Sequence, residues 1–246
     1  MSGHSKWANI KRKKAKVDAA KGSTFSRLTK EVTSAARQGG PNPDTNFKLR
    51  LAVARAREAN VPLSNIERAI QRATGAADGQ SLEEIVYEGY GPGSAAILLE
   101  ILTDNRNRTA GDIRHLFTRH GGNLGESGSV LWMFDQVGLA VVPEEPGVTE
   151  DRVLEVALEA GADDVRHEDG EYWILATPDV LEAVNRALEA SGLPVERAEV
   201  TRLPKTTTEV QGAEAERLVR LLDLLDEHDD VQRVYTNAEL PEELEA

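Results

Sequence analysis

The chain has 246 residues, of which 40% are hydrophobic and none is cysteine. This composition predicts a globular protein with a sizeable core, and it excludes disulfide bonds, cysteine nucleophiles and cysteine metal sites, which is typical of a cytoplasmic protein. No apolar run approaches the roughly 18 residues that a membrane-spanning helix requires, so we expect no contact with a membrane.

The formal net charge of −13 combines two parts of opposite sign. Residues 1–75 contain 16 lysines and arginines against five acidic residues, which gives +11. Residues 76–246 contain 13 against 37, which gives −24. Such asymmetry is typical of an arm that binds nucleic acid or a membrane surface, joined to an acidic body.

The segment GHSKWANIKRKKAKVDAAKG at residues 3–22 is the first candidate for contact with an anionic partner. Five of the six residues 11–16 are basic, so a helix there would be charged around much of its circumference. Its cations can neutralise phosphates, and Trp7 can stack on an unpaired base. The alternative is a solvated tail with Trp7 and Ile10 packed on the helices that follow. The candidate nucleic-acid-binding residues here are Lys6, Trp7, Lys11, Arg12, Lys13, Lys14, Lys16 and Lys21.

The next part of the chain has the spacing of three amphipathic helices. Apolar residues recur at intervals of three and four from Phe25 to Val32, and two more helical stretches follow the loop GGPNPDTN. The first helix also carries Arg27 and Lys30, which we add to the candidate nucleic-acid-binding residues. Together these patterns predict a basic helical domain over residues 1–78.

Beyond the linker GAADGQ the pattern changes to strands. EIVYEGY, SAAILLEILT and SVLWMF each predict a strand, with a helix from about 109 to 120 among them. Residues 138–203 follow the order βαββαβ of a ferredoxin-like fold. The tail after them is too short to fold alone, so we expect it to complete the preceding sheet. The sequence thus predicts an α+β protein: a helical N-terminal domain, a discontinuous α/β sandwich middle domain (79–137 plus 204–246), and an inserted ferredoxin-like domain.

Two polar loops can either bind an anion or serve the fold. In YEGYGPG, residues 87–93, another strand follows the glycines, which favours a tight turn over a phosphate-binding loop. In LTDNRNRT, residues 102–109, polar side chains lie at a strand-to-helix junction. There they can bind an anion, or Asp104 or Asn107 can cap the helix, and both interpretations stay open. Arg106 and Arg108 complete the candidate nucleic-acid-binding residues.

Catalysis in this chain would have to rely on carboxylates. Glu100, Asp104 and Asp112 lie close in sequence and could hold Mg²⁺ in a metal-dependent nuclease. Acidic residues are so frequent after residue 75 that this proximity is expected by chance, and no histidine pair has metal-ligand spacing. We therefore expect no catalytic residue, no metal and no cofactor, and we keep the nuclease only as the weakest alternative.

Seven motifs along the chain carry a family resemblance: GHSKWANIK, GGPNPDTN, YEGYGPG, LTDNRNRT, HGGNLGESGSVLWMF, EAGADDV and DDVQRVYTNA. They resemble the YebC family, also called the PmpR or mitochondrial translational-activator family, although Arg12 stands where many members have His. The resemblance implies the three domains described above and no established catalytic residue. For function it implies either a DNA-binding transcriptional regulator or a ribosome-associated translation factor that relieves stalling at proline-rich stretches.

Taken together, these features predict a non-enzymatic nucleic-acid-binding regulator of gene expression, and the charges favour the translation factor. Acidic domains are repelled by a continuous duplex, whereas a structured, partly single-stranded site such as the ribosome accommodates them more easily. The expected partner is ribosomal RNA. In the alternative it is DNA, for which residues 47–74 would supply a helix-turn-helix. A further alternative is an adaptor whose acidic domains recruit a basic protein.

Overall fold

The structure is a computed structural model that describes residues 21–74, 82–168, 170–241 and 244. Its contacts divide the chain into two compact units. The first contains the described residues up to Phe134 and those from Pro204 onward, and the second is Asp135–Leu203. No helix within the described ranges is long and apolar enough to cross a membrane.

The elements in chain order are α1 (Lys21–Gly39), α2 (Phe47–Glu58), α3 (Leu63–Thr74), β1 (Glu83–Tyr90), β2 (Ala96–Thr103), α4 (Arg106–Arg119), β3 (Asn123–Leu124), β4 (Phe134–Pro143), α5 (Glu150–Glu159), β5 (Asp164–Glu168), β6 (Glu171–Ala176), α6 (Leu181–Ala190), β7 (Arg197–Pro204), β8 (Thr208–Glu209), α7 (Gly212–Asp226), β9 (Val231–Thr236) and β10 (Ala238–Glu239). This mixture confirms the predicted α+β class. The division of the first unit into a helical and a sheet domain stays a prediction.

The three N-terminal helices of the first unit pack through a common apolar core. Val32, Leu49 and Ile66 are buried in it, one from each helix. Asn46 caps α2, because its side-chain oxygen accepts the N–H of Leu49 at 3.1 Å while its amide donates to the Ala35 carbonyl. The helical period of the sequence therefore corresponds to a real apolar interface.

The sheet of the first unit has the strand order β3-β1-β2-β9, and β2 pairs antiparallel with both β1 and β9. Its central strand β2 is apolar except for Glu100 and Thr103, because both of its faces are covered. Ile97 and Leu99 pack in the core that α4 and α7 help to form, whereas Leu98 packs on the other face with Val130 and Tyr235. The predicted return of the C-terminal tail to this sheet is observed in β9.

One strand prediction is wrong. The stretch SVLWMF forms a short 3-10 turn at Leu131–Met133, and β4 begins only at Phe134. The N–H groups of Val130 and Leu131 donate to the carboxylate of Glu88, so they are not available for a sheet. A side chain some 40 residues earlier therefore decides this local structure.

The second unit contains one four-stranded sheet with the order β5-β6-β4-β7. β6 pairs antiparallel with β4 and with β5. The helices α5 and α6 contact each other, and the residues buried in this unit include Leu139, Ile174 and Val184. Strand order and element order are those of a ferredoxin-like βαββαβ fold.

Candidate nucleic-acid interface

The predicted nucleic-acid-binding residues fall into three groups. Lys21 is the first residue of α1, and the structure describes its backbone only. Four others, Arg27, Lys30, Arg106 and Arg108, lie in the first unit and are described below. The remaining seven lie outside the described residues: Lys6, Trp7, Lys11, Arg12, Lys13, Lys14 and Lys16.

Lys30 and Arg108 converge on one buried carboxylate. The Lys30 Nζ atom lies 2.7 Å from Asp230 Oδ1, and an Arg108 guanidinium nitrogen lies 2.8 Å from Asp230 Oδ2. The hydroxyls of Thr103 and Thr109 donate to the same Oδ2 at 3.1 and 2.7 Å. The Asp230 side chain is only 3% exposed, so two cations and two hydroxyls replace its water.

These contacts fix the charge of Asp230. Burial alone would raise its pKa, but the hydrogen bonds from Lys30, Arg108 and Thr109 outweigh burial and hold the pKa well below its usual range. The hydrogen bonds from Asp230 and Asp104 in turn raise the pKa of Arg108. The cluster is therefore a stable group of ionised partners.

Arg27 makes a second link between α1 and the C-terminal end of α7. Its guanidinium donates to the backbone carbonyl of Asp226 at 2.8 Å and lies 3.3 Å from Asp226 Oδ1. A cation at a helix C-terminus is favourable because the last carbonyls lack intrahelical partners. Arg27 and Lys30 thus join the helical and sheet parts of the first unit, while Arg108 binds the same carboxylate as Lys30 from within the sheet part. Contact of the three residues with nucleic acid stays a prediction.

At the LTDNRNRT junction the structure contains a helix cap. The side chain of Asn105 accepts the N–H of Arg108 at 3.1 Å, which starts α4 three residues before the predicted position. Arg106, the first residue of α4, is exposed, and its carbonyl accepts the hydroxyl of Tyr87 at 3.3 Å. A cap is therefore observed, but Asn105 forms it and not Asp104 or Asn107, and anion binding at this junction stays a prediction.

The YEGYGPG motif builds a tight turn, as the sequence favoured. Pro92–Ser94 is a single 3-10 turn, and Gly93 has a φ of 68°, a left-handed value that glycine adopts readily. Gly89 allows β1 to pass close to α4, since a Cβ there would lie 2.6 Å from the Asn123 carbonyl oxygen and 2.7 Å from the Phe117 ring. The glycines serve close packing.

The sequence reasoning missed three exposed arginines in the helical region. Arg57 is near the end of α2, and Arg68 and Arg72 lie four residues apart on α3. All three side chains are exposed and none forms an ion pair with a described residue. A usable signal was present, because Arg68 lies on the side of α3 away from the buried Ile66, and Arg72 follows it one turn later at the exposed end of the helix.

The helices α2 and α3 also have the outline of a helix-turn-helix unit. Each has 12 residues, and only residues 59–62 separate them. Asn60 in this turn has a φ of 59°, and the N–H of Val61 donates to the Ala56 carbonyl at 2.9 Å, which closes α2 with a Schellman motif. The second helix of such a unit presents its exposed face to DNA.

The three carboxylates of the nuclease alternative have separate partners. Glu100 accepts the hydroxyl of Tyr235 at 3.2 Å, Asp104 pairs with Arg108, and Asp112 lies 3.6 Å from His228. No group of three His, Asp or Glu side chains in the described part of the chain is placed to hold a metal ion. The described geometry thus gives the nuclease alternative no support.

Fold and charge define an α+β protein in which a basic helical region precedes acidic sheet regions. Residues 5–76 match the family model of the TACO1/YebC N-terminal domain, and residues 82–238 match that of the TACO1/YebC second and third domain. The chain belongs to the TACO1/YebC family, which confirms the resemblance found in its motifs.

Relatives of this family match along nearly the whole chain. A protein of Pelotomaculum thermopropionicum is 56% identical over 98% of this chain and 99% of its own, and one of Symbiobacterium thermophilum is 56% identical over 96% and 98%. Both are named probable transcriptional regulatory proteins. The crystal structure of a conserved hypothetical protein from Aquifex aeolicus superposes with a TM-score of 0.83 at 46% identity, covering 96% of this chain and 97% of that one.

Proposed function

We propose that this protein is a non-enzymatic, nucleic-acid-binding regulator of gene expression. The observation that carries the proposal is the concentration of positive charge in residues 1–75, at +11, within a chain of net charge −13. Clustered lysines and arginines bind nucleic acid by releasing counterions from the phosphates. The regulatory names of the relatives support the same class.

Within this class we propose that the target is ribosomal RNA on the ribosome. Arg27 and Lys30 tie the basic helices to the acidic sheet of the first unit, so this sheet must accompany the helices to any target. A continuous duplex would repel it, whereas a site lined by both RNA and basic protein would not. Relief of stalling at proline-rich stretches is the activity that the family resemblance implies for such a factor.

Sedimentation of cell lysate through sucrose gradients at low and moderate salt tests this proposal. The full chain should migrate with ribosomes at low salt and less so at moderate salt. A variant with Lys11, Arg12, Lys13 and Lys14 changed to Gln should shift toward the top of the gradient. The control Arg186→Gln, which removes an exposed cation from the second unit, should sediment like the wild type.

Recovery of the wild type only at the top of the gradient at either salt concentration would contradict ribosome binding. A reconstituted translation reaction then tests the finer activity, using two reporters that differ only by a proline run. The protein should raise the yield of the proline-containing reporter alone. An equal effect on both reporters would contradict the stalling proposal.

A DNA-binding transcriptional regulator is the second candidate, and the α2–α3 geometry favours it. In that case Arg68 and Arg72 on α3 would contact a duplex, as the second helix of a helix-turn-helix does. Competition between purified ribosomes and duplex DNA for the labelled protein separates the two candidates. Tighter binding of duplex DNA at the same salt concentration would favour transcription.

A further inference from the structure

Trp132 is held in an exposed position. Its side chain is 66% exposed, the largest value among the big apolar residues that the structure describes. Rotation of the ring would break a hydrogen bond, because the indole Nε1–H donates to the Ser129 carbonyl at 3.1 Å. With this polar atom satisfied internally, the faces of the indole are what remains available to a ligand.

The loop that carries Trp132 is fixed by a buried carboxylate. Glu88 is 3% exposed and accepts three backbone N–H groups: those of Gly128 at 2.6 Å, Val130 at 2.8 Å and Leu131 at 2.7 Å. On the side away from solvent, Val130 packs in the core. The conformational entropy of the indole and its loop is therefore lost on folding rather than on binding, which favours affinity for a ligand.

We propose that Trp132 is a stacking platform for an unpaired nucleobase. This inference rests on the proposed function and adds a base contact to its phosphate contacts. Aromatic side chains that bind single-stranded nucleic acid stack on bases without regard to sequence, because every base has a π-face.

The surroundings of Trp132 fit a base better than an apolar protein partner. The exposed residues Glu126 and Ser127 of the same loop are polar, and the adjoining apolar residues Leu131 and Met133 are partly buried against the core. A stacked base needs only the flat face and leaves its edges in water, whereas a protein anchor needs a desolvated pocket around it. One exposed ring on a loop whose other exposed residues are polar therefore suits a single-stranded ligand.

Charged residues of both signs are present on and beside the loop that carries Trp132. Glu126 brings one negative charge to this loop. The exposed residue Lys205 brings one positive charge, because its backbone N–H donates to the Met133 carbonyl at 2.8 Å. Stacking on an uncharged ring releases no counterions, so the contribution of Trp132 to affinity should not depend on salt, unlike that of the arginines.

The test compares the full-length wild type with Trp132→Ala for binding to an oligouridylate and to an abasic oligomer of equal length and charge. Trp132→Ala should weaken oligouridylate binding by about tenfold, by the same factor at low and moderate salt, and leave abasic binding unchanged. Trp132→Phe should recover much of the loss, because a ring remains. Leu158→Ala, a similarly exposed apolar residue of the second unit, is the matched control and should bind as the wild type does.

Each outcome decides the inference. If the wild type binds both oligomers with strong salt dependence and Trp132→Ala binds them equally well, the stacking inference is wrong and the proposed function stands. If Trp132→Ala weakens ribosome binding but not oligouridylate binding, Trp132 contacts protein, and the inference is wrong. If the wild type binds no nucleic acid, the proposed function is wrong, and the stacking inference that rests on it is wrong as well. Thermal unfolding of Trp132→Ala itself shows whether a folding defect accounts for its weaker binding, and recovery of binding by Trp132→Phe supports a role of the ring.

Discussion

Lys30 Nζ lies 2.7 Å from Asp230 Oδ1, and this contact connects the first described helix to the segment just before the last long strand, 200 residues further along the chain. Asp230 also accepts hydrogen bonds from Arg108 and Thr109. Residues that a sequence analysis would assign to nucleic acid are thereby used to hold two parts of the first unit together.

Removing the charge of Asp230 should destabilise the protein. Asp230→Asn leaves Lys30 and Arg108 without their common carboxylate, and loss of one partner of a buried ion pair typically costs about 3 kcal/mol. Urea unfolding should show this decrease in the free energy of unfolding. Glu182→Gln, which breaks the exposed pair with Arg186, should change it by less than about 0.5 kcal/mol. Equal effects of the two variants would contradict the assigned role.

The same carboxylate should make stability depend on acid pH. The pKa of Asp230 is lower in the folded protein than the ordinary value of about 3.9, so the unfolded chain binds more protons as the pH falls. The contribution of Asp230 is therefore complete above about pH 5 and is lost as the pH falls below about 4 toward the folded pKa. Between neutral and acid pH, the free energy of unfolding in urea should fall more steeply for the wild type than for Asp230→Asn. An equal dependence on pH in the two proteins would contradict this explanation.

Glu88→Gln should disorder the loop that carries Trp132. A glutamine offers one acceptor oxygen and places an amide donor near three backbone N–H groups, so at least one buried donor loses its partner. We expect a loss of about 2 kcal/mol in unfolding free energy. Tryptophan fluorescence of the folded variant should also change, since the support of Trp132 is altered. Unchanged stability would show that water replaces the carboxylate there.

Substitution of two glycines by alanine should change the stability of the protein in opposite directions. Gly89→Ala would place a Cβ against the Asn123 carbonyl and the Phe117 ring, and we expect a loss of more than about 2 kcal/mol. Gly111 lies inside α4 with open space around its Cβ position, so Gly111→Ala should stabilise the protein by about 0.5–1 kcal/mol. Thermal unfolding of the two variants measures both effects, and a stabilising Gly89→Ala would contradict the packing described.

The sequence predicts elements well where local periodicity decides them. The spacing of apolar residues that predicts α1 and the βαββαβ order of residues 138–203 both depend on residues close together in the chain. The strand expected in SVLWMF fails because the distant carboxylate of Glu88 takes the N–H groups of Val130 and Leu131. Contacts of this kind join residues far apart in sequence, and no periodicity reports them.

The candidate nucleic-acid-binding residues also differ in whether the sequence alone could identify their role. Arg68 and Arg72 could have been selected from the polar face of α3 alone. The internal use of Lys30 could not, since its partner Asp230 is one of many acidic residues in the second part of the chain. Net charge therefore predicts the class of partner, whereas pairing in the fold decides which cations are available to it.

The most direct test of the account measures how the affinity for a structured RNA varies with salt. For the wild type, the logarithm of the binding constant should fall steeply and linearly with the logarithm of salt concentration. The double variant Arg68→Gln, Arg72→Gln should bind more weakly, with a slope reduced by about two, because each lost phosphate contact removes about one unit. A wild-type affinity that does not depend on salt would contradict the central claim that the basic helical region binds nucleic acid.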